Sequence, residues 1–151
     1  MIRKSQALKI NIINNNLKEM INLVNDQLHQ SMMALKNLDV ELADKTIKSD
    51  DLIDELQKKI EEECIKFIAT ERPVAKDLRR VFTASKIVTD LERMADLAVD
   101  ICKIAKKSDS ETYIGEAKKL WIMEQRIRNM LNLVLKFFIS SPTILIFLTK
   151  K

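Results

Sequence analysis

The sequence has little of what reverses or breaks a chain: one glycine and two prolines among 151 residues. Aromatic residues make up 5% of it, although hydrophobic residues as a whole make up 46%. Folds built from strands and tight turns draw on glycine, proline and Asn-Gly pairs for those turns. The composition therefore excludes that class and predicts a few long helices. The length suits one domain, or one domain with an incomplete appendage.

Cysteine and histidine are equally scarce. Cys64 and Cys102 lie far apart in apolar helical surroundings, which predicts two buried reduced thiols rather than a disulfide or a redox pair. His29 is the sole histidine, and we expect a solvated rim position for it because no second histidine or cysteine accompanies it. No secretory signal segment follows Met1, which predicts a cytoplasmic protein.

The excess positive charge is confined to the last part of the chain. Residues 1–110 hold 19 Lys+Arg and 19 Asp+Glu, whereas residues 111–151 hold 7 and 3, which accounts for the net charge of +4. A neutral body lacks the one-sided basic surface of a nucleic-acid-binding protein. A membrane span needs about 20 uninterrupted apolar residues. Lys136 and Ser140-Ser141-Pro142 interrupt the apolar stretch near the end, so no span is predicted.

Apolar residues recur at helical spacing in four segments, at about 5–37, 40–69, 72–107 and 113–138. We expect Asn37-Leu38-Asp39 to form a turn and Pro73 to take the first position of the third helix. A break or bend of the second helix near Ser49 is left open. Because the connections are short, the first three segments predict an antiparallel three-helix bundle.

Two carboxylates in the third segment fall where apolar side chains belong. The apolar stripe of this segment includes Val74, Leu78, Val81, Ala84, Val88, Leu91, Ala95, Ala98, Val99 and Cys102. Glu92 and Asp96 lie inside this stripe or at its edge, with Glu92 within roughly 20° of Val81 and Val99 on a helical wheel. An amphipathic helix normally carries its acids on the opposite face. A charge taken out of water is costly unless it is paired or bound to a metal.

The second segment offers a matching pair. Asp50 and Asp54 lie one helical turn apart and flank the apolar stripe, with Glu61 on the same edge. An antiparallel bundle can bring both acid-xxx-acid pairs together, where each carboxylate raises the pKa of the others. A cation such as iron, manganese, magnesium or calcium would relieve this repulsion. The alternatives are that the acids are solvated, or that they form an ion network with Arg79 and Arg93.

The residues around these acids resemble the PhoU family of phosphate-signalling regulators. The family segment P-x-A-x-D-L-R appears as PVAKDLR at 73–79, and D-L-E-R-x-x-D as DLERMAD at 90–96, with Ala95 where the family usually has glycine. The stretches DVELA at 39–43 and DDLID at 50–54 also resemble the second helix of the family. The resemblance covers residues 17–105 well and residues 120–138 weakly.

The resemblance implies an all-α fold of two similar three-helix bundles, each holding a multinuclear metal cluster of iron, or of zinc or manganese. By position, the implied ligands are Asp50, Asp54, Glu92 and Asp96. It also implies a cytoplasmic homodimer that binds the ATPase subunit of a phosphate importer and a phosphate sensor histidine kinase. Such proteins restrain uptake and starvation signalling when phosphate is plentiful, and they catalyse no known reaction.

The chain departs from the family pattern after the first bundle. We expect a PhoU-like three-helix bundle at 1–107, the first helix of an incomplete second bundle at 108–139, and an aberrant apolar and basic tail at 140–151. A truncated or frameshifted copy, with the break near Ile139, would explain this. The rival interpretations are a partner-binding or structural bundle without metal, a metal-dependent enzyme, for which no general base is evident, and a membrane-anchored fragment.

Overall fold

The computed structural model describes residues 2–108 and 118–140, which form four helices. They are α1 (Ile2–Asn37), α2 (Val40–Glu71), α3 (Ala75–Lys107) and α4 (Lys118–Ser140). The first three pack against one another, and α4 packs chiefly on α1. The start of α1 contacts the end of α2 through Gln6, which donates to the Glu71 carbonyl at 2.9 Å. The start of α2 contacts the end of α3 through the Asp44–Lys106 ion pair. The predicted antiparallel three-helix bundle is therefore confirmed.

The turn between α1 and α2 is confirmed at the predicted residues. Leu38 adopts a left-handed conformation, with φ of 51°. Asp39 then caps α2, because its side chain accepts a hydrogen bond from the Leu42 amide at 2.9 Å. A short polar side chain at this position satisfies one of the free amides at a helix start. The chain thus reverses within two residues, which fixes α1 and α2 as neighbours.

The structure settles the open question about α2 and corrects one expectation about α3. The helix α2 runs unbroken through Ser49, whose hydroxyl donates to the Thr46 carbonyl at 2.7 Å inside the helix. Pro73 does not take the first position of α3. Arg72 ends α2 in a left-handed conformation, with φ of 43°, and α3 begins at Ala75 after its N-cap Val74. The Val74 carbonyl accepts from the Asp77 and Leu78 amides, so the first helical hydrogen bonds start beyond the proline.

The core of the bundle is a continuous apolar seam between the three helices. Its fully buried members on α1 include Ile13, Leu17, Met20, Ile21 and Val24, and they face Ile53, Ile60 and Phe67 of α2 and Val81, Val88 and Ala98 of α3. The predicted stripe of α3 is confirmed from Val81 to Cys102 but is wrong at its start. Val74 is 68% exposed and Leu78 is 40% exposed. Val74 is the N-cap of α3, and Leu78 lies at the edge of the apolar stripe, at the position that Asp96 takes further along the helix.

Among the described side chains of the fourth helix, Leu131 is buried in this core. Ile127 and Val134 pack beside it, whereas Leu120, Met123 and Met130 are exposed. The predicted start of this helix at Tyr113 and nearly all of the predicted tail at 140–151 lie outside the described residues. Within the described ranges, no helix combines the length and the apolar character that crossing a bilayer requires.

Phe67 provides a test of the core. Phe67→Ala should lower the free energy of unfolding by about 3–5 kcal/mol, because it leaves a cavity where a fully buried ring was. The measurement is urea denaturation followed by circular dichroism. Phe82→Ala is the matched control, since that ring is 58% exposed, and it should change the value by about 1 kcal/mol or less. Equal losses in the two variants would contradict the assigned core.

Candidate carboxylate site

The four predicted site residues lie along one edge of the groove between α2 and α3. Asp50 and Asp54 follow one another on α2, and Glu92 and Asp96 on α3. The two helices run antiparallel from the link at 72–74, so Asp54 is placed level with Glu92 and Asp50 level with Asp96. The charges of Asp54 and Asp96 act on Asp50, and those of Asp96, Asp54 and Asp50 act on Glu92. The fold thus brings both pairs to one place.

Partial burial and mutual repulsion disfavour the charged forms of two of these acids, Asp50 and Glu92. Partial burial is the main cause that raises the pKa of Asp50, and the neighbouring charges of Asp54, Asp96 and Asp51 raise it further. Partial burial is also the main cause that raises the pKa of Glu92, followed by the charges of Asp96, Asp54 and Asp50. A hydrogen bond from the protonated Glu92 carboxyl to Asp96 adds to the rise. Asp50 and Glu92 therefore ionise less readily here than in water, and a counter-charge would favour their charged forms.

A third helix contributes to this site through Gln27 of α1. Its side-chain amide Nε2 donates to Asp50 Oδ1 at 2.9 Å, and this hydrogen bond lowers the pKa of Asp50, opposing the effect of burial. Gln27 is only 2% exposed, and its Oε1 atom has no hydrogen-bond partner among the described residues. This residue was not predicted from the sequence. Gln27 interrupts the apolar stripe of α1 between Val24 and Leu28, as Glu92 interrupts that of α3, but the sequence does not show that Asp50 is its partner.

Positive side chains do not neutralise the site directly. Within residues 2–108 and 118–140, no Lys or Arg forms an ion pair with Asp50, Asp54, Glu92 or Asp96. Arg93 pairs with Asp90 at 4.0 Å, and Arg79 donates to the Ala75 carbonyl of its own helix at 3.2 Å. The proposed ion network with Arg79 and Arg93 is therefore not the arrangement seen.

The exposed Lys103 is a basic group whose pKa the charges of Asp96 and Asp50 influence. Its ammonium donates to Asp100 at 2.9 Å. That hydrogen bond and the Asp100 charge raise the pKa of Lys103, with smaller contributions from Asp96 and Asp50. Its direct partner is thus Asp100, and the charge of the site itself is left largely uncompensated.

The side chains are neighbours rather than a closed coordination shell. Among the described residues, no three His, Cys, Asp or Glu side chains converge closely enough to hold one metal ion. All four site residues offer only carboxylate oxygens, which suit hard or borderline cations. They also reside on two helices whose backbones are fixed by the core. Binding a cation would thus require these carboxylates to move closer together than they lie in the structure.

The remaining candidate ligands are not part of this site. Cys64 and Cys102 are buried and unbonded, as predicted. Burial raises the pKa of each thiol to about 11, which keeps both protonated near neutrality and makes them poor nucleophiles and ligands. His29 lies at the rim between α1 and α4, where its Nδ1 atom is 3.3 Å from Glu124 and 3.0 Å from Arg128.

The raised pKa of Glu92 predicts a pH-dependent gain from removing its charge. A carboxyl with a raised pKa in the folded state binds its proton more tightly there than in the unfolded state, so stability falls as pH rises from the ordinary value of 4.5 through the raised one. In a chelator-treated sample, Glu92→Gln should therefore stabilise the fold at pH 7, by up to about 1 kcal/mol for a partly exposed group. The gain should vanish at pH 3, where both forms are uncharged.

Urea denaturation at the two pH values measures this difference. Glu55→Gln is the matched control, since Glu55 is exposed on the opposite face of α2, and it should show little change at either pH. A loss of stability at pH 7 in Glu92→Gln would contradict the electrostatic description of the site.

Comparison with known proteins supports the sequence resemblance. The PhoU domain profile matches residues 17–105, which includes all four carboxylates. The phosphate-specific transport system accessory protein PhoU homolog of Clostridium acetobutylicum is 39% identical over 132 residues, which is 87% of this chain and 60% of that protein. The homologs of Aquifex aeolicus and Thermotoga maritima (homolog 1) are 37% and 33% identical, over 58% and 53% of their lengths. The chain thus spans between about half and two thirds of these relatives, and it belongs to the PhoU family.

Proposed function

We propose that this protein is an accessory regulator of phosphate transport. The observation that carries the proposal is the PhoU domain match over residues 17–105, which falls within the three helices of the bundle and includes its carboxylate edge. The names of the relatives describe accessory proteins of a phosphate-specific transport system. The long exposed helix faces suit binding to other proteins, and no reaction is part of the proposal.

The proposed partners follow from this role. They are the ATPase subunit of a phosphate importer and the phosphate sensor histidine kinase, which the protein would restrain when phosphate is plentiful. The proposed location is the cytoplasm, and the proposed assembly is a homodimer. Neither a nucleic acid nor a membrane span is part of the proposal.

We further propose that Asp50, Asp54, Glu92 and Asp96 hold metal ions, with iron, zinc or manganese in a multinuclear cluster as the expected occupant. A bound cation would supply the positive charge that the two carboxylate pairs lack. The observations in favour are the raised pKa values of Asp50 and Glu92 and the lack of a direct ion-pair partner among the described residues. The alternative, a bundle without metal whose acids form ion pairs, is disfavoured by the same ion-pair pattern.

The regulatory role is tested in the organism that carries this chain. Deleting its gene should raise transcription of phosphate-starvation genes in phosphate-rich medium, and the full chain supplied from a plasmid should restore repression. The measurement is transcript abundance together with uptake of radiolabelled phosphate. Unchanged transcripts and uptake after deletion would refute the proposed role.

Metal binding is tested with purified protein. Asp54→Asn combined with Asp96→Asn should remove most of the bound iron, zinc or manganese measured by elemental analysis, because it takes one carboxylate from each helix. The matched control is Asp51→Asn combined with Asp90→Asn, which alters exposed carboxylates beside the site. Equal metal content in the two double variants would refute the site.

Gln27 allows a graded version of this test. Gln27→Leu keeps all four carboxylates but removes the hydrogen bond that orients Asp50, and loss of such a supporting contact typically weakens metal binding by about 10–100-fold. Gln57→Leu is the control, since Gln57 contacts Glu61 instead. Titration calorimetry with Mn²⁺ would report the difference.

A further inference from the structure

An exposed apolar surface lies at the end of the α2–α3 groove that is nearest the 72–74 link. It is formed by Ile65, Ile68, Val74, Leu78 and Phe82, which we call the link patch. Ile65 and Val74 are each 68% exposed and Phe82 is 58% exposed. Single exposed apolar residues need no explanation, but a contiguous group of large ones marks an interaction site.

The antiparallel register makes these residues neighbours. The same register that sets Asp54 level with Glu92 sets Ile68 level with Leu78 and Ile65 level with Phe82. On α3, Leu78 and Phe82 lie on the edge that later carries Glu92 and Asp96, and on α2, Ile68 lies on the edge that carries Asp50 and Asp54. The link patch and the carboxylate site are thus two sections of one groove.

The charge around the link patch is strongly positive. Residues 65–86 contain six Lys+Arg and two Asp+Glu, a net charge of +4. Both acids form ion pairs, Glu71 with Lys9 and Asp77 with Arg80. In the described part of the chain, Arg72, Lys76, Arg79 and Lys86 have no acidic partner within ion-pair distance. The basic rim therefore offers several unused positive groups beside apolar surface.

Phe82 and Lys86 combine these two properties in one place. The Lys86 ammonium lies 5.1 Å from the centroid of the Phe82 ring, within the range of a cation–π contact. Lys86 thus holds its charge at the border of the apolar surface. A ligand side chain that contacts Phe82 would also lie close to the Lys86 ammonium. This arrangement favours a ligand that carries a carboxylate next to its apolar side chain.

We propose that the link patch is the docking site for an acidic amphipathic helix of a protein partner. An apolar face in a groove between two helices is a common mode of helix recognition, with anchors at i, i+3 or i+4 and i+7. The acidic residues of the partner would complement Arg72, Arg79 and Lys86. The proposal deepens the accessory role, since it rests on the chain acting through a bound protein.

Two other occupants fit less well. A second copy of this chain in a symmetric contact would place one basic link patch against another. An anionic membrane laid along the groove would meet its acidic section, because residues 44–63 and 87–100 together hold 12 Asp+Glu against 5 Lys+Arg. A helix of a few turns can occupy the link patch alone. The charge distribution thus favours the acidic helix.

The experiment selects ligands without assuming a partner. A phage-displayed library of alanine-based helical peptides, with one face randomised, is panned against the purified full-length chain. The enriched peptides should carry apolar residues at helical spacing with an excess of Asp and Glu. Leu78→Ser with Phe82→Ser, and separately Arg79→Glu with Lys86→Glu, should weaken their binding at least about tenfold, since apolar anchors and buried charge contacts dominate such interfaces. The control variant is Leu52→Ser with Lys48→Glu, since both residues are exposed elsewhere on α2. It should leave the peptide affinity unchanged.

Several results would overturn the proposal. They are failure of any peptide to enrich, enrichment of neutral or basic peptides, and equal binding by the link-patch variants. Binding to phosphatidylglycerol vesicles that Leu78→Ser with Phe82→Ser abolishes would assign the surface to a membrane. A dimer that the same variant dissociates would assign it to a second copy. If the peptides bind but gene deletion leaves phosphate regulation unaltered, the docking site stands and only the proposed regulatory role is refuted.

Discussion

The short link between α2 and α3 is the constraint on which the functional surfaces depend. Residues 72–74, which begin with the left-handed Arg72, reverse the chain. The relative register of α2 and α3, each more than thirty residues long, is therefore fixed at this end. That register places Asp50 and Asp54 beside Glu92 and Asp96, and it places Ile68 beside Leu78. A longer link would allow α2 and α3 to shift by one helical turn relative to each other. Such a shift would separate the two acid pairs from each other and Ile68 from Leu78. The site is thus a consequence of the turn as much as of the acids.

The carboxylates of Asp50 and Glu92 in this groove do not stabilise the fold, because burial and repulsion disfavour their charged forms. Apolar side chains at positions 50 and 92 would extend the core, whereas the carboxylates present there carry a raised pKa because of burial and mutual repulsion. Gln27 offsets part of this cost for Asp50 but leaves its own Oε1 atom without a partner among the described residues. Residues that oppose local stability in this way are typical of functional sites, which agrees with the site proposed from the family.

The sequence predicted the helices and the acid pairs because both rest on periodicity, which a single chain displays directly. It could not predict that Leu78 remains exposed, since this residue lies at the edge of the α3 stripe, where exposure depends on how closely α2 packs against that edge. The start of α3 was misplaced at Pro73. Arg72 adopts a left-handed conformation, and an arginine in the sequence does not indicate that conformation. Gln27 was overlooked because its polarity has meaning only once Asp50 is known to lie beside it.

The seam that holds α4 differs in its chemistry from the core of the bundle. Beside the buried Leu131, α4 meets α1 through polar contacts: Arg128 donates to Asn25 at 3.1 Å, and Asn25 donates to Asn132 at 3.3 Å. Such contacts tolerate exposure to water, whereas the apolar core does not. Because α4 packs chiefly on α1, it adds its bulk on the α1 side of the bundle. The carboxylate edge and the link patch lie between α2 and α3, away from the helix that α4 chiefly contacts.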